Sequence, residues 1–312
     1  MPEAPLYTVL PELLMTHPLI ISIILNKDRK KDSLECLASL EKNAYPKHKV
    51  IFLDAGSGDG SVEAVRASYP AAQIVSLQNN KGYAGNNNVG IQLALEQGAD
   101  WVFLLNDDVV LDATCLARLV EVGESDSRIG IVGPMVYHHN EPTIIQSAGG
   151  LLGRYWESIH LAKNEADTGQ HPAPHAVEWL SGCAIMVRRQ VIEQVGMLDE
   201  RFFAYWEETE WCLRAAKSGW RIMHVPQAKL WHKDVQRNYA PSPAFTYYNT
   251  RNRFLMYAKH KAPLPVWLHA WQQTLRTLIS WTVKPKWRAM HRHRNAMWRG
   301  MIDFLRHRWG EK

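Results

Sequence analysis

The amino-acid sequence predicts an α/β protein: an open, mostly parallel sheet with helices on both faces, followed by a basic helical tail. Three observations carry this. Short apolar, β-branched runs recur at 18–25, 49–53, 73–77 and 101–105, and each gap between them holds a segment of helical spacing, the alternation expected of parallel strands joined by crossover helices. Turn-rich polar clusters follow these runs, where open α/β sheets bind their ligands. Charge is also divided along the chain. Residues 259–312 carry 12 Lys and Arg against 2 Asp and Glu, and six of the 13 tryptophans, while the remaining 258 residues carry 24 against 29.

The elements follow in order. Pro18–Leu25 is a continuous apolar run, as a strand buried on both faces requires. Leu34, Leu37 and Leu40 give 33–43 a helical stripe. Lys49–Leu53 is a second strand, and Ser61 near the cap starts a helix to Ser68. Gln73–Leu77 is a third strand, Val89–Gln97 a helix, and Trp101–Leu105 a fourth strand. From about residue 130 the alternation weakens, and 149–153 and 163–174 read as loops.

Composition excludes several classes. With 46% hydrophobic and 21% charged residues among 312, the chain can bury a large core and is neither disordered nor collagen-like. Its four cysteines, Cys36, Cys115, Cys183 and Cys212, show no C-x-x-C spacing, which argues against a disulfide framework or zinc ribbon and for a reducing compartment. The first 17 residues hold no Lys or Arg, so no secretory signal is read there, and no run of 18 apolar residues suggests a spanning helix. No nucleic-acid-binding motif accompanies the basic tail.

Four clusters carry candidate chemistry. Gly56-x-Gly58-x-Gly60 lacks the third glycine of a dinucleotide fingerprint, which is Ser61, and follows the second strand rather than the first; tight-turn geometry accounts for it. Asp54, just before it, is a carboxylate at a strand end, suited to a base or ribose. Asn79–Gly90 opens a helix with small residues and amides, where free N–H groups meet anions. Asn106-Asp107-Asp108 clusters hard oxygen ligands after a buried strand, as Mg²⁺ or Mn²⁺ holding a diphosphate needs. Glu207, Glu208 and Glu210 stand among aromatic residues at a helix start, a setting that raises a carboxyl pKa toward that of a general base.

Together these clusters resemble the inverting family 2 glycosyltransferases, in particular the rhamnosyltransferase-like branch, from about Leu19 to Met256. The segments that carry the resemblance are Asn26-Lys27-Asp28; Phe52-Leu-Asp54-Ala-Gly-Ser-x-Asp-Gly-Ser61; Asn80-x-Gly82-Tyr-Ala-Gly-Asn-Asn87-Asn-Val-Gly90; Leu105–Asp108; Trp179-Leu-Ser-Gly182 through Phe202-Phe-x-Tyr205; Trp206-Glu207-Glu208-x-Glu210-Trp-x-x-Arg214; and Tyr247-Tyr-x-x-Arg251-Asn252. The resemblance implies a GT-A-type nucleotide-diphospho-sugar transferase fold, with a catalytic domain over 1–258 whose nucleotide-sugar half spans about 18–110 and whose acceptor half spans about 130–258. It implies a metal-dependent transfer, with inversion, from a nucleoside-diphosphate sugar to a saccharide or lipid-linked saccharide in cell-surface polysaccharide synthesis. dTDP-rhamnose is the favoured donor and UDP-sugars come next. Glu208 would be the base, with Glu207 and Glu210 as alternatives, because Glu replaces the expected Asp. Asn26, Lys27, Asp54, Asn80, Gly82, Asn87, Asp107 and Arg251 would hold the nucleotide. Trp179, Gly182, Tyr205 and Trp206 would face acceptor and sugar. Asp108, His232 and Asn106 would hold the metal. The rival readings are a nucleotidyltransferase, for which the Arg- and Lys-bearing loop after the first strand lacks a glycine, and a non-catalytic carbohydrate-binding protein.

The tail predicts two amphipathic helices. In 264–284, Trp267, Trp271, Leu275, Leu278 and Ile279 oppose His269, Gln272, Gln273, Arg276, Ser280 and Lys284; Trp287, Met290, Met297, Trp298, Met301, Phe304 and Leu305 repeat the design against Arg288, Arg292, Arg299 and Arg306. Such helices lie in membrane interfaces. The expectation is peripheral binding of an anionic membrane surface on the cytoplasmic side, with packing on the body or a homodimer as the alternative.

Overall fold

The computed structural model describes residues 17–233, 237–238 and 240–312. The stretch that shows no secretory signal falls, but for its last residue, outside the described residues.

The nucleotide half follows the sequence pattern. β1 (Ile20–Asn26), α1 (Lys30–Glu41), β2 (His48–Asp54), α2 (Ser61–Ser68), β3 (Gln73–Ser76), α3 (Gly82–Glu96) and β4 (Trp101–Asn106) alternate, and the strands pair in parallel in the order β3-β2-β1-β4. The pleat explains why these strands are apolar throughout. Ile20 and Ile24 of β1 with Phe103 and Leu105 of β4 face α1, α2 and α4 (Cys115–Glu124), while Ile21, Ile23, Val102 and Leu104 face α3 and the later helices α5 and α6.

Beyond β4 the sheet becomes mixed. β5 (Val109–Leu111), β6 (Ile129–His138) and β7 (Glu141–Ser147) precede a hairpin of β8 (Gly150–Leu152) and β9 (Ser158–His160). β10 (His175–Ala176), β11 (Ala184–Arg188), α5 (Arg189–Val195), α6 (Glu207–Lys217) and β12 (Arg221–His232) follow. β11 lies antiparallel between β4 and β6, and β12 runs parallel to β6. β5 pairs with β12 and sets His232 opposite Val109, which brings a residue 124 positions downstream beside Asp108. α7 (Pro243–Lys259) is capped by the Ser242 hydroxyl, which accepts from Phe245 N at 3.2 Å. α8 (Leu264–Val283), a 3-10 turn at Pro285–Met290 and α9 (His291–Leu305) close the chain. Among the described residues no helix is long and apolar enough to cross a membrane.

Three expectations are corrected. α3 starts at Gly82, not near Val89, because the amides of its first turns take tertiary partners in place of apolar ones: Asn88 Nδ2 donates to Leu198 O and its Oδ1 accepts from Leu198 N. Residues 149–153 are not all loop, since Gly150–Leu152 is a strand; a Cβ on Gly150 would lie 2.0 Å from the Trp179 ring, so the glycine reads as a close approach rather than a turn. In the tail, the residues expected on one face divide. Trp267 and Trp271 stack on Phe254 of α7 at 6.0 and 4.6 Å, and Leu278 is buried with them, whereas Leu275 and Ile279 remain exposed.

Candidate active site

The carboxyl ends of β1, β2 and β4 open into a cleft of 420 Å³ whose walls include Asn26, Lys27, Asn80, Tyr83, Asp107, Asp108, Tyr205 and His232. Its floor is tied together at the strand ends. Asn26 Nδ2 donates to Asp54 Oδ1 and to Ser57 Oγ, both at 2.9 Å. Asp54 Oδ2 accepts from the backbone N–H groups of Gly56 and Ser57 at 3.1 and 3.0 Å. Gly56 has φ +80° and Lys27 Nζ donates to its carbonyl. The glycine cluster is therefore a turn built on Asp54, not a phosphate loop. Asn80 Oδ1 accepts from Gly82 N and Asn86 Nδ2, both at 2.9 Å. Gly82, at φ +72°, tolerates no side chain, because its Cβ would stand 2.3 Å from Phe203 O. Asn87 lies one turn deeper, donates to Tyr83 O and is 1% exposed, so it supports the wall rather than lining the cleft.

At the end of β4, Asp108 and His232 are both nearly buried and meet at 3.2 Å, Oδ1 to Nε2; Asn106 Nδ2 lies 3.5 Å from the same nitrogen. His232 Nδ1 is 2.9 Å from Gln146 Oε1. An amide oxygen can only accept, so Nδ1 donates to it and Nε2 is the nitrogen that faces the Asp108 carboxylate. A histidine fixed from behind and a carboxylate in front suit one hard divalent cation whose other ligands come from a diphosphate. Among the described residues no group of three or more His, Cys, Asp or Glu converges to hold a metal ion. Arg29 Nη1 stands 3.3 Å from Asp108 Oδ2 and also lines the cleft.

A second pocket of 250 Å³, lined by Trp179, Ser181, Trp206, Glu208, Phe245 and Asn249 among others, adjoins the first. Tyr205 lines both and is 40% exposed. Glu208 enters from the first turn of α6, and burial pushes its carboxyl up to about 7. Gly182 lies beside it: a Cβ there would stand 3.5 Å from Glu208 Cγ, an ordinary contact. Glu207, 4% exposed, is raised further by burial and then by the Glu208 charge. Glu210 belongs elsewhere. Burial favours its neutral form, but a 2.9 Å bond to His260 and the charges of Arg214 and Lys259 outweigh this and hold it below the usual carboxylate range. It is locked in an ion cluster and leaves the set of candidate bases.

Arg251 is likewise corrected. It is fully buried and does not line the cleft. Its Nη2 donates to the carbonyls of Arg201 and Phe202 at 3.0 and 2.9 Å, and Nη1 to Gly310 O at 2.8 Å. Asn252 Nδ2 donates to the carbonyls of Phe202, Ala204 and Tyr205 at 2.8, 2.7 and 2.8 Å. The segment they hold is strained: Phe203, Tyr205 and Trp206 all have positive φ, at 64°, 68° and 78°. The Tyr-Tyr-x-x-Arg-Asn pattern thus clamps the loop shared by both pockets instead of binding phosphate. Sequence reasoning also missed Gln146, which sits in no recognisable pattern, and Asn249, an unspecified position of Tyr-Tyr-x-x-Arg-Asn that accepts from Trp206 Nε1 at 2.7 Å.

The model of glycosyl transferase family 2 matches residues 20–196, more than half of the chain. The chain belongs to glycosyl transferase family 2. Relatives of this glycosyltransferase include the N-acetylglucosaminyl-diphospho-decaprenol L-rhamnosyltransferase of Mycobacterium tuberculosis, 30% identical over 216 residues that cover 63% of the chain and 70% of the relative. The dTDP-rhamnosyl transferase RfbF of Shigella flexneri is 29% identical over 241 residues, 73% of the chain and 77% of the relative. In structure the glycosyltransferase is similar to the mannosyltransferase PcManGT of Pyrobaculum calidifontis, solved with GDP-Man and Mn²⁺, at a TM-score of 0.59 over 93% of the chain and 88% of the neighbour. At 16% identity that likeness shows the GT-A fold.

Proposed function

We propose that the protein transfers a sugar, with inversion, from a nucleoside-diphosphate donor to a hydroxyl of a saccharide or lipid-linked saccharide acceptor, with dTDP-rhamnose as the leading donor. The observation that carries this is the meeting of two unlike pockets at Tyr205. One holds the hard-ligand pair Asp108 and His232, and the other holds a carboxyl poised at about 7. The donor choice rests on the two rhamnosyl-transferring relatives.

In this reading Asp54 and Asn26 set the turn against which the nucleoside rests, and Arg29 and Lys27 offer cationic charge toward the diphosphate. A divalent cation, Mg²⁺ or Mn²⁺, bound by Asp108 and His232 supplies charge neutralisation at the leaving diphosphate. Glu208 accepts the acceptor hydroxyl proton, that oxygen bonds to the anomeric carbon from the opposite face, and the bond from the anomeric carbon to the phosphate oxygen breaks. Trp179, Trp206 and Phe245 line the pocket that receives the acceptor sugar. Glu207 stays protonated beside Glu208.

A thermal-shift screen of dTDP-rhamnose and UDP-sugars with Mn²⁺ tests the donor, since a bound ligand raises the melting temperature by mass action. The expected result is a shift with dTDP-rhamnose that Asp108→Ala abolishes. A shift with a UDP-sugar alone reassigns the donor, and no shift with any donor or transfer undiminished in chelator refutes the reading.

A further inference from the structure

We propose that the outer arc of α8, together with Trp298 of α9, is a docking surface for an anionic lipid bilayer. At 100° per residue, Val266, Ala270, Thr274 and Leu278 form the face of α8 that packs inward, each at most 8% exposed, flanked by the half-buried Trp267 and Trp271. Leu264, Leu268, Leu275, Ile279 and Val283 occupy the adjoining arc, about 100° wide, and are 46–68% exposed. Inward packing thus accounts for one face of the helix and leaves a second apolar face without a function in the monomer. The concentration is local: of ten exposed large hydrophobic residues in the described chain, seven lie on α8 and α9. Trp298, 52% exposed, extends the arc across a 380 Å³ cleft that Leu275, Ile279 and Val283 also line, with Arg294 at its rim.

Charge selects the occupant. From residue 259 to 302 the sequence contains no Asp or Glu at all, and the whole segment to 312 is net +10. Lys284, Lys286, Arg288 and Arg292 follow directly on Val283 and are exposed. A second copy apposed through the same face would bring two such segments together, and like charges oppose that contact. An anionic bilayer offers an apolar interior for the aliphatic arc and negative headgroups for the basic run, the arrangement of a helix lying in the interface plane. Among the described residues no helix is long and apolar enough to cross a membrane. The inserting residues are the aliphatic arc and Trp298, not Trp267 and Trp271. α7 carries Asn249 of the acceptor pocket and also the rings on which α8 packs, so the docked face and the acceptor pocket share one helix. The docking does not depend on the proposed donor or base, and vesicle binding needs no turnover.

Co-sedimentation of the full chain with phosphatidylglycerol-containing and with purely zwitterionic vesicles is the test. Binding to the anionic vesicles alone is expected, lost near 1 M salt where the Debye length is about 3 Å. Leu268→Asp with Ile279→Asp should lower the bound fraction about tenfold or more, with an unchanged melting temperature, because both side chains are exposed. Lys284→Gln with Lys286→Gln should weaken binding and flatten its salt dependence. Absence of binding by the full chain, or equal binding by the aspartate variant, overturns the proposal. So does a dimer in light scattering that the aspartate variant dissociates while vesicles stay unbound, which would assign the face to a second copy.

Discussion

Glu208 and Glu210 lie two residues apart in the first turn of α6, yet they inhabit opposite electrostatic regions. Glu208 projects into the smaller pocket, where burial raises it to about 7. Glu210, fully buried, meets Arg214, Lys259 and His260 at 3.0, 2.9 and 2.9 Å. The same side chain is thus held ready to take a proton in one region and made a permanent anion in the other. What surrounds a carboxylate, not its place in a motif, decides whether it does chemistry or holds the fold. The two also act on stability with opposite sign. A carboxyl raised in the folded state weakens the fold as pH climbs from its unfolded value through about 7, because the native state holds the proton longer. A carboxyl lowered in the folded state stabilises above the unfolded pKa, and that contribution is lost as pH falls through the folded one.

The largest expected effect breaks the comparison on the catalytic side. Glu208→Gln should lower kcat by about 10²- to 10⁴-fold with donor affinity little changed, read by steady-state kinetics and donor titration. The same substitution should raise the melting temperature at pH 8, worth about 1–2 kcal/mol, because it removes a desolvated charge. A variant that is both fully active and no more stable would leave Glu207 as the group to pursue.

Glu210→Gln should act in the reverse direction. Removing the anion leaves the cationic cluster of Lys259, Arg214 and His260 without its centre, and stability should fall by about 2–3 kcal/mol in denaturant titrations at pH 8. Lys259 keeps Asp199 at 2.6 Å, which is why the cost stays below that of a fully orphaned pair. The surviving folded fraction should turn over at near wild-type rate. A catalytic loss as large as that of Glu208→Gln, in a protein that melts normally, would reverse the two roles.

A smaller effect is expected from the clamp. Asn252→Ala removes the donor that the carbonyls of Phe202, Ala204 and Tyr205 share, while Phe202 O keeps Arg251 Nη2, and stability should fall by about 2 kcal/mol. The loop would lose its hold on three positive-φ residues, so kcat/KM should drop about tenfold, while the pH profile keeps its midpoint because Glu208 itself is untouched. Asn252→Asp sets a buried carboxylate against the same carbonyls and should cost at least as much as alanine.

How far the sequence reveals these regions depends on the range of the contacts. β1, β2 and β4 are legible because both of their faces are buried, which leaves an unbroken apolar run, and Asp54 and Asp108 are legible because they sit at the ends of those runs. The start of α3 is hidden because Asn86 and Asn87 bond locally, to Asn80 and to Tyr83 O, and Asn88 bonds Leu198 far along the chain, none of which a periodicity encodes. Gln146 reaches His232 across 86 residues, and the Glu210 cluster draws on His260, 50 residues away. The inward and outward faces of α8 are both apolar and adjoin each other, so helical period alone could not choose between Trp267 and Leu268 as the buried side.

The finest test of the comparison is the pH dependence of turnover. The base acts only when ionised, and burial raises Glu208 to about 7, so kcat/KM should climb about tenfold per unit on the acid side and level off above that pH. Glu207 is held neutral by burial and then by the Glu208 charge, so the acid limb reports Glu208. Glu210 faces its own cations and contributes no catalytic ionisation. In Glu210→Gln the midpoint should therefore move by no more than a few tenths of a unit, whereas Glu207→Gln, which removes the neighbouring carboxyl, should shift it downward if Glu207 carries charge in the working range and leave it in place if Glu207 stays protonated. The second outcome is expected, since burial and the Glu208 charge both hold Glu207 neutral. A midpoint near an ordinary glutamate value in the wild type would show Glu208 open to water and would remove the contrast from which the two roles were assigned.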